Sequence, residues 1–163
     1  KKDYFVVFCG KEASYNTLGH AFIMTGKGDP FTCNIDNGDG EAFGLYAADN
    51  ENADNPCKPK AINAGKSYFV GQLPGCLFND VYTKVSNYLI LRCTYEEYLQ
   101  VHMEIENWKK KSYELKKQDC LSFVISVAKL FSSQLSIPER SGFDNFPNQF
   151  ILQLKKSNLQ IKN

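Results

Sequence analysis

Two histidines and six cysteines hold most of the chemistry open to this sequence near neutral pH: His20 and His102, with Cys9, Cys33, Cys57, Cys76, Cys93 and Cys120. No two cysteines are spaced as CxxC, which excludes a zinc ribbon and a thioredoxin-like redox pair. An even number of cysteines leaves two readings open, three disulfides or six thiols. Cys120 is set apart by its surroundings, Lys116-Lys-Gln-Asp-Cys-Leu-Ser-Phe-Val124. Leu121, Phe123, Val124, Ile125, Val127, Ala128, Leu130 and Phe131 follow closely, so Cys120 falls in the first turn of a helix that is apolar on nearly every side. The unpaired amides and the dipole of a helix start favour a thiolate, and the Cys120 N–H is a natural donor to a developing oxyanion. By spacing alone, a cysteine on an apolar helix also fits a core thiol. Asp119, one residue earlier, reads as the N-cap rather than a catalytic acid.

A thiol nucleophile needs a base, and only the two histidines supply an imidazole. His20 opens the apolar stretch His20-Ala-Phe-Ile-Met-Thr25 directly after Gly19, a placement suited to a sheet edge beside a cleft. His102 falls in mid-helix on a face with Tyr95, Tyr98 and Glu106, where packing is the ordinary role. Asp36-Asn-Gly-Asp-Gly40 lacks the spacing and distal glutamate of a calcium loop. Lys109 to Lys111 with Lys116 and Lys117 form a basic patch broken by Glu114, which reads as a solvated helix end. No metal and no cofactor is expected.

The elements that must position these groups change character midway. Residues 4–9 form an apolar, β-prone run, and 20–25 form a second strand ended by the turn cluster Gly26-Lys-Gly-Asp-Pro30. Residues 31–36 read as its hairpin partner and 42–46 as another short strand. The stretch 47–66 is aperiodic and reads as a long surface loop. Residues 67–70 and 82–93 supply further strand. Thr94-Tyr-Glu-Glu97 then matches a capping box, with Tyr98, Val101, Ile105 and Trp108 at helical spacing behind it. Helices are therefore predicted over 95–111, over 119–133, and from Pro147 through Phe150, Ile151 and Leu154. Strands first and helices later indicate α+β, with helices packed on a mostly antiparallel sheet.

The chain has 163 residues, 43% hydrophobic and 23% charged, with a net charge of +1. That length supports a single domain, 1–163, with one sizeable core. The balanced charge gives no case for nucleic-acid binding, and no apolar run reaches the ~18 residues of a membrane span. The chain starts Lys1-Lys2-Asp3 without a methionine, which together with six cysteines suggests an exported protein, secreted or periplasmic.

Leu18-Gly-His-Ala-Phe-Ile23, Ala42-Phe-Gly-Leu-Tyr46, Tyr113-Glu-Leu-Lys-Lys-Gln-Asp-Cys-Leu-Ser-Phe-Val124 and Pro147-Asn-Gln-Phe150 follow one another in an order that resembles the circularly permuted papain-like superfamily. That group includes NlpC-type cell-wall peptidases and lecithin–retinol acyltransferase-like proteins, and in it the histidine strand precedes the cysteine helix. The resemblance implies Cys120 as nucleophile, His20 as general base and a thioester intermediate. It also implies a polar residue on a neighbouring strand that orients the histidine. Counted outward from the turn at 26–30, His20 faces Asp36, with Asn34 two residues earlier on the same face. If the partner strand is 42–46 instead, the facing groups are Tyr46 and Asp49. The expected activity is hydrolysis of an amide in a peptide or cell-wall peptide. Acyl transfer or hydrolysis on a lipid ester, and an inactive binding module of the same fold, are the alternatives.

Overall fold

A computed structural model describes residues 1–15, 17–30, 40–48, 72–80, 83–140 and 146–161. Its strands are β1 (Tyr4–Lys11), β2 (His20–Lys27), β3 (Gly40–Ala47), β4 (Gln72–Leu73), β5 (Gly75–Phe78), β6 (Asn87–Cys93) and β7 (Tyr113–Glu114). Its helices are α1 (Tyr95–Trp108), α2 (Cys120–Lys129) and α3 (Pro147–Lys156). Five strands form one sheet in the order β5-β3-β2-β1-β6, each pair antiparallel, and β4 pairs with β7 apart from it. The architecture is α+β, with helices on a mostly antiparallel sheet.

β1 explains why its sequence is apolar without alternation. It lies between β2 and β6 and is buried on both faces. Val6 and Phe8 join the main core with residues of all three helices, whereas Phe5, Val7 and Cys9 join a smaller cluster with Phe22, Ala42 and Ile90. A strand covered on both sides needs no polar face. Against the sheet, α2 packs on β2 and β3, and α3 packs on β1 and β6.

α1 starts at the Thr94 capping box, where Thr94 Oγ1 accepts from the Glu97 amide and Glu97 returns an acceptor to the Thr94 amide. It buries Val101, Ile105 and Trp108 and ends three residues short of the expected 111. α2 ends at Lys129 rather than near 133. The amides of Leu130, Phe131 and Ser132 bond carbonyls three residues back, so the helix tightens into turns there.

Between the hairpin expectation and the sheet there is a difference. Ile23 pairs with Phe43 and Gly26 with Gly40, so β2's neighbour is β3. The 31–36 segment, the 67–70 segment and the 47–66 stretch beyond Ala48 lie outside the described residues. β6 begins at Asn87, later than the strand expected from Tyr82, and β4, β5 and β7 have no periodic pattern that announces them. Among the described cysteines, Cys76 is disulfide-bonded while Cys9, Cys93 and Cys120 are free thiols. The chain thus follows neither uniform reading of its cysteines.

Candidate active site

The start of α2 is assembled from both sides of Asp119. Before it, residues 114–118 close a tight turn in which Lys116 takes a left-handed backbone, φ 71°, and Lys116 N donates to Asp119 Oδ2 at 2.8 Å. After it, the Ser122 amide donates to Asp119 Oδ1 at 3.1 Å, and Phe123 N donates to the Asp119 carbonyl. Asp119 is the N-cap, as its position in the sequence implies. Cys120 and Leu121 follow, and among the described residues their backbone amides take no hydrogen bond. Two free N–H groups therefore lie at the helix start next to the Cys120 sulfur.

His20 is the first residue of β2. Gly19 delivers it, with φ +82° and its α-carbon against the Lys11 carbonyl, where a side chain would collide. The imidazole is buried and lies between two partners. Nε2 meets Asp80 Oδ2 at 2.8 Å, which leaves Nδ1 as the ring nitrogen open to Cys120, whose sulfur acts on the charge of the imidazole. Burial alone would strip the ring of its proton. The Asp80 carboxylate, and after it Cys120, outweigh burial and push the imidazole up to about 9.

Asp80 follows β5 and is held on all sides. Its Oδ1 accepts from Tyr46 Oη at 2.5 Å and from Thr83 Oγ1 at 2.9 Å, and its amide donates to the Ala42 carbonyl. The β2–β3 register, carried three residues beyond Ile23–Phe43, sets Tyr46 opposite His20, and the two rings stack with centroids 4.3 Å apart. Tyr46 thus covers one face of the imidazole and donates to its carboxylate partner. Burial, then Asp80, pushes the Tyr46 hydroxyl above its ordinary range, so it remains a donor. Gly44 leaves the space in which the pair forms, because a Cβ there would overlap both Asp80 Oδ2 and His20 Nε2.

Two further groups interact electrostatically with Cys120. Tyr113 is a buried residue, and its hydroxyl makes no hydrogen bond among the described residues. Burial first, then the charges of Cys120 and Asp119, oppose its ionisation, with Arg140 acting the other way. Arg140 grips Asp119 with both arms, at 2.7 Å to Oδ1 and 2.6 Å to Oδ2.

Of the residues singled out by sequence, Cys120 and His20 come together. Asp36, Asn34 and Asp49 lie outside the described residues. Among the described residues, the acid that meets His20 is Asp80, through Nε2. His102 is elsewhere: its Nε2 meets Thr25 Oγ1 at 3.1 Å and its ring packs against Tyr98 and Phe43, a packing role. Burial pulls its imidazole below the ordinary range. Asp80, Tyr113 and Arg140 were not singled out. The one sequence signal for Asp80 is a carboxylate directly after an apolar strand end, Leu77-Phe-Asn-Asp80, a common pattern at turns. No family model, no curated protein and no solved structure matches this chain.

Proposed function

We propose that this chain is a cysteine hydrolase of the circularly permuted papain-like class that cleaves an amide bond in a peptide, cell-wall peptides included. The observation that carries the reading is the buried His20 imidazole, bonded through Nε2 to the Asp80 carboxylate and made more basic by Asp80 and by Cys120. Free amides at the start of α2 complete the set that acyl transfer from an amide requires.

The residues divide the work as follows. The Cys120 thiolate forms a C–S bond to the carbonyl carbon, and the C=O π pair moves onto oxygen. The Cys120 and Leu121 amides, with the Tyr113 hydroxyl as a further donor, hold that oxyanion. As it collapses, the C–N bond breaks and the His20 imidazolium passes its Nδ1 proton to the departing amine. His20, now neutral, takes a proton from water, whose oxygen attacks the thioester. The C–S bond breaks, the acid leaves and the thiolate–imidazolium pair returns. Asp80 holds the ring orientation and its positive charge throughout. An amine leaves only when protonated, and an imidazolium pushed up to about 9 carries that proton at neutral pH. This favours amides as substrates.

The test uses peptide amides and cell-wall peptide fragments with wild type, Cys120→Ala and His20→Gln. Hydrolysis by wild type and its loss in both variants is the expected result. Iodoacetamide should modify Cys120 before Cys9 or Cys93. Full activity in Cys120→Ala overturns the proposal.

A further inference from the structure

An ionised N-cap beside a nucleophilic sulfur is an electrostatic problem. Asparagine or serine caps a helix as well as aspartate does. Asp119 adds a negative charge next to the place where the sulfur and the oxyanion must carry theirs. The amides of Lys116 and Ser122 satisfy its oxygens without cancelling that charge. Arg140, from the chain beyond α2, does cancel it, through a two-armed pair whose side chains are only 19% and 4% exposed. Little solvent screens these charges, so an unpaired partner would be felt at the sulfur.

We infer that Arg140 is a positioning residue for Cys120: by neutralising the Asp119 carboxylate, it lets the start of α2 present its free amides to a negative sulfur. The inference rests on the reading of Cys120 as a nucleophile. Among the described residues, the titratable and charged groups that interact with this sulfur or border it are His20 from β2 with Asp80 behind it, Tyr46 from β3, Tyr113 from β7, and Asp119 and Arg140 themselves. His20 and Arg140 are cationic, and Asp119 and Asp80 are anionic. Removing either member of the Asp119–Arg140 pair leaves the other charge uncompensated, and the two removals have opposite signs.

The experiment follows the ultraviolet absorbance of the Cys120 thiolate across pH, subtracting the signal of Cys120→Ala. Burial pushes the Cys9 thiol up, and burial with Glu97 pushes Cys93 to about 12, so neither contributes near neutrality. Arg140→Met should raise the midpoint by about one pH unit or more, and Asp119→Asn should lower it by a similar amount. The double variant should return close to wild type. Arg140→Lys keeps the charge without the fork and should also stay close. A purely structural pair predicts otherwise: both single variants would loosen the same helix start and shift the midpoint in one direction, if at all. Midpoints that move together, or do not move, overturn the inference. If Arg140→Met fails to fold around an unpaired buried carboxylate, the comparison of Asp119→Asn with the double variant decides. Loss of the hydrolase reading would look different, as an absence of turnover with midpoints still displaced in opposite directions.

Discussion

Gly44 and His20 approach each other so closely that no side chain fits between them. A Cβ at position 44 would overlap Nε2 of the imidazole and the Asp80 oxygen bonded to it. Neither obstructed group is the loose end of an exposed chain, because His20 and Asp80 are both buried. Gly44→Ala should therefore part the pair while leaving the sheet paired on both sides of β3. The expected outcome is a fall in kcat/KM of about 100-fold, the scale of an ångström's misplacement, with an unchanged far-ultraviolet circular dichroism spectrum. Native kinetics in this variant would show that the His20–Asp80 contact is dispensable.

Asp80→Asn separates charge from shape. Burial opposes a proton on His20, and the bond to Asp80 is the first influence that overcomes it. An amide of the same size removes the negative charge, so the imidazole should fall from about 9 toward its ordinary value of 6.5. Titration of the His20 ring by NMR reads this directly. Hydrolysis should drop by about 10²- to 10⁴-fold. A ring that still titrates near 9 would mean that Cys120, rather than Asp80, holds the proton.

The two shifted groups place opposite slopes on stability against pH. His20 binds its proton more tightly folded than unfolded. Its contribution is complete below 6.5 and is lost as pH rises through about 9. For Asp119, burial would raise the carboxyl, but Arg140 and the capping amides hold it below its ordinary 3.8. Its contribution is present above that value and is lost as pH falls through the lowered one. Urea unfolding as a function of pH should thus show an alkaline decline above 6.5 from His20 and an acid decline below 3.8 from Asp119, with the buried His102 adding a shallower loss as pH falls below 6.5. In His20→Gln the alkaline decline should flatten; if it persists unchanged, another group is responsible.

The elements around the site were more legible than the site. Thr94 with Glu97, and Asp119 before a dense apolar run, announce α1 and the start of α2 because capping and helical periodicity are local. β1 and β2 are likewise visible as apolar runs between glycines. His20 and Cys120 can be named from their surroundings, but only the resemblance in the order of elements pairs them, since 100 positions separate them and spacing alone sets no contact. The acid beside His20 depends on which segment flanks β2, 31–36 or 42–46, a choice that periodicity leaves open and that the sheet makes in favour of β3. Asp80 lies 60 positions from His20 and reaches it from the far side of β3 through the gap over Gly44. Arg140 is equally remote from any pattern, because a charge pair 21 positions apart across a helix leaves no periodic trace.

Tyr113 separates stability from activity. A buried hydroxyl without a partner costs folding free energy, of the order of 1–3 kcal/mol for the unsatisfied group. Its burial, together with the charges of Cys120 and Asp119, keeps the phenol protonated and therefore a donor. A donor that has no partner among the described residues and interacts with the nucleophile costs little to reorganise when an oxyanion forms. Tyr113→Phe keeps the ring, which belongs to the main core, and removes only the oxygen. The variant should unfold at the same urea concentration as wild type or a higher one, while kcat falls by about 10- to 100-fold with KM little changed. A variant that loses stability instead would show that the hydroxyl has a structural partner. One with undiminished kcat would remove Tyr113 from the oxyanion donors and leave that task to the two amides of α2.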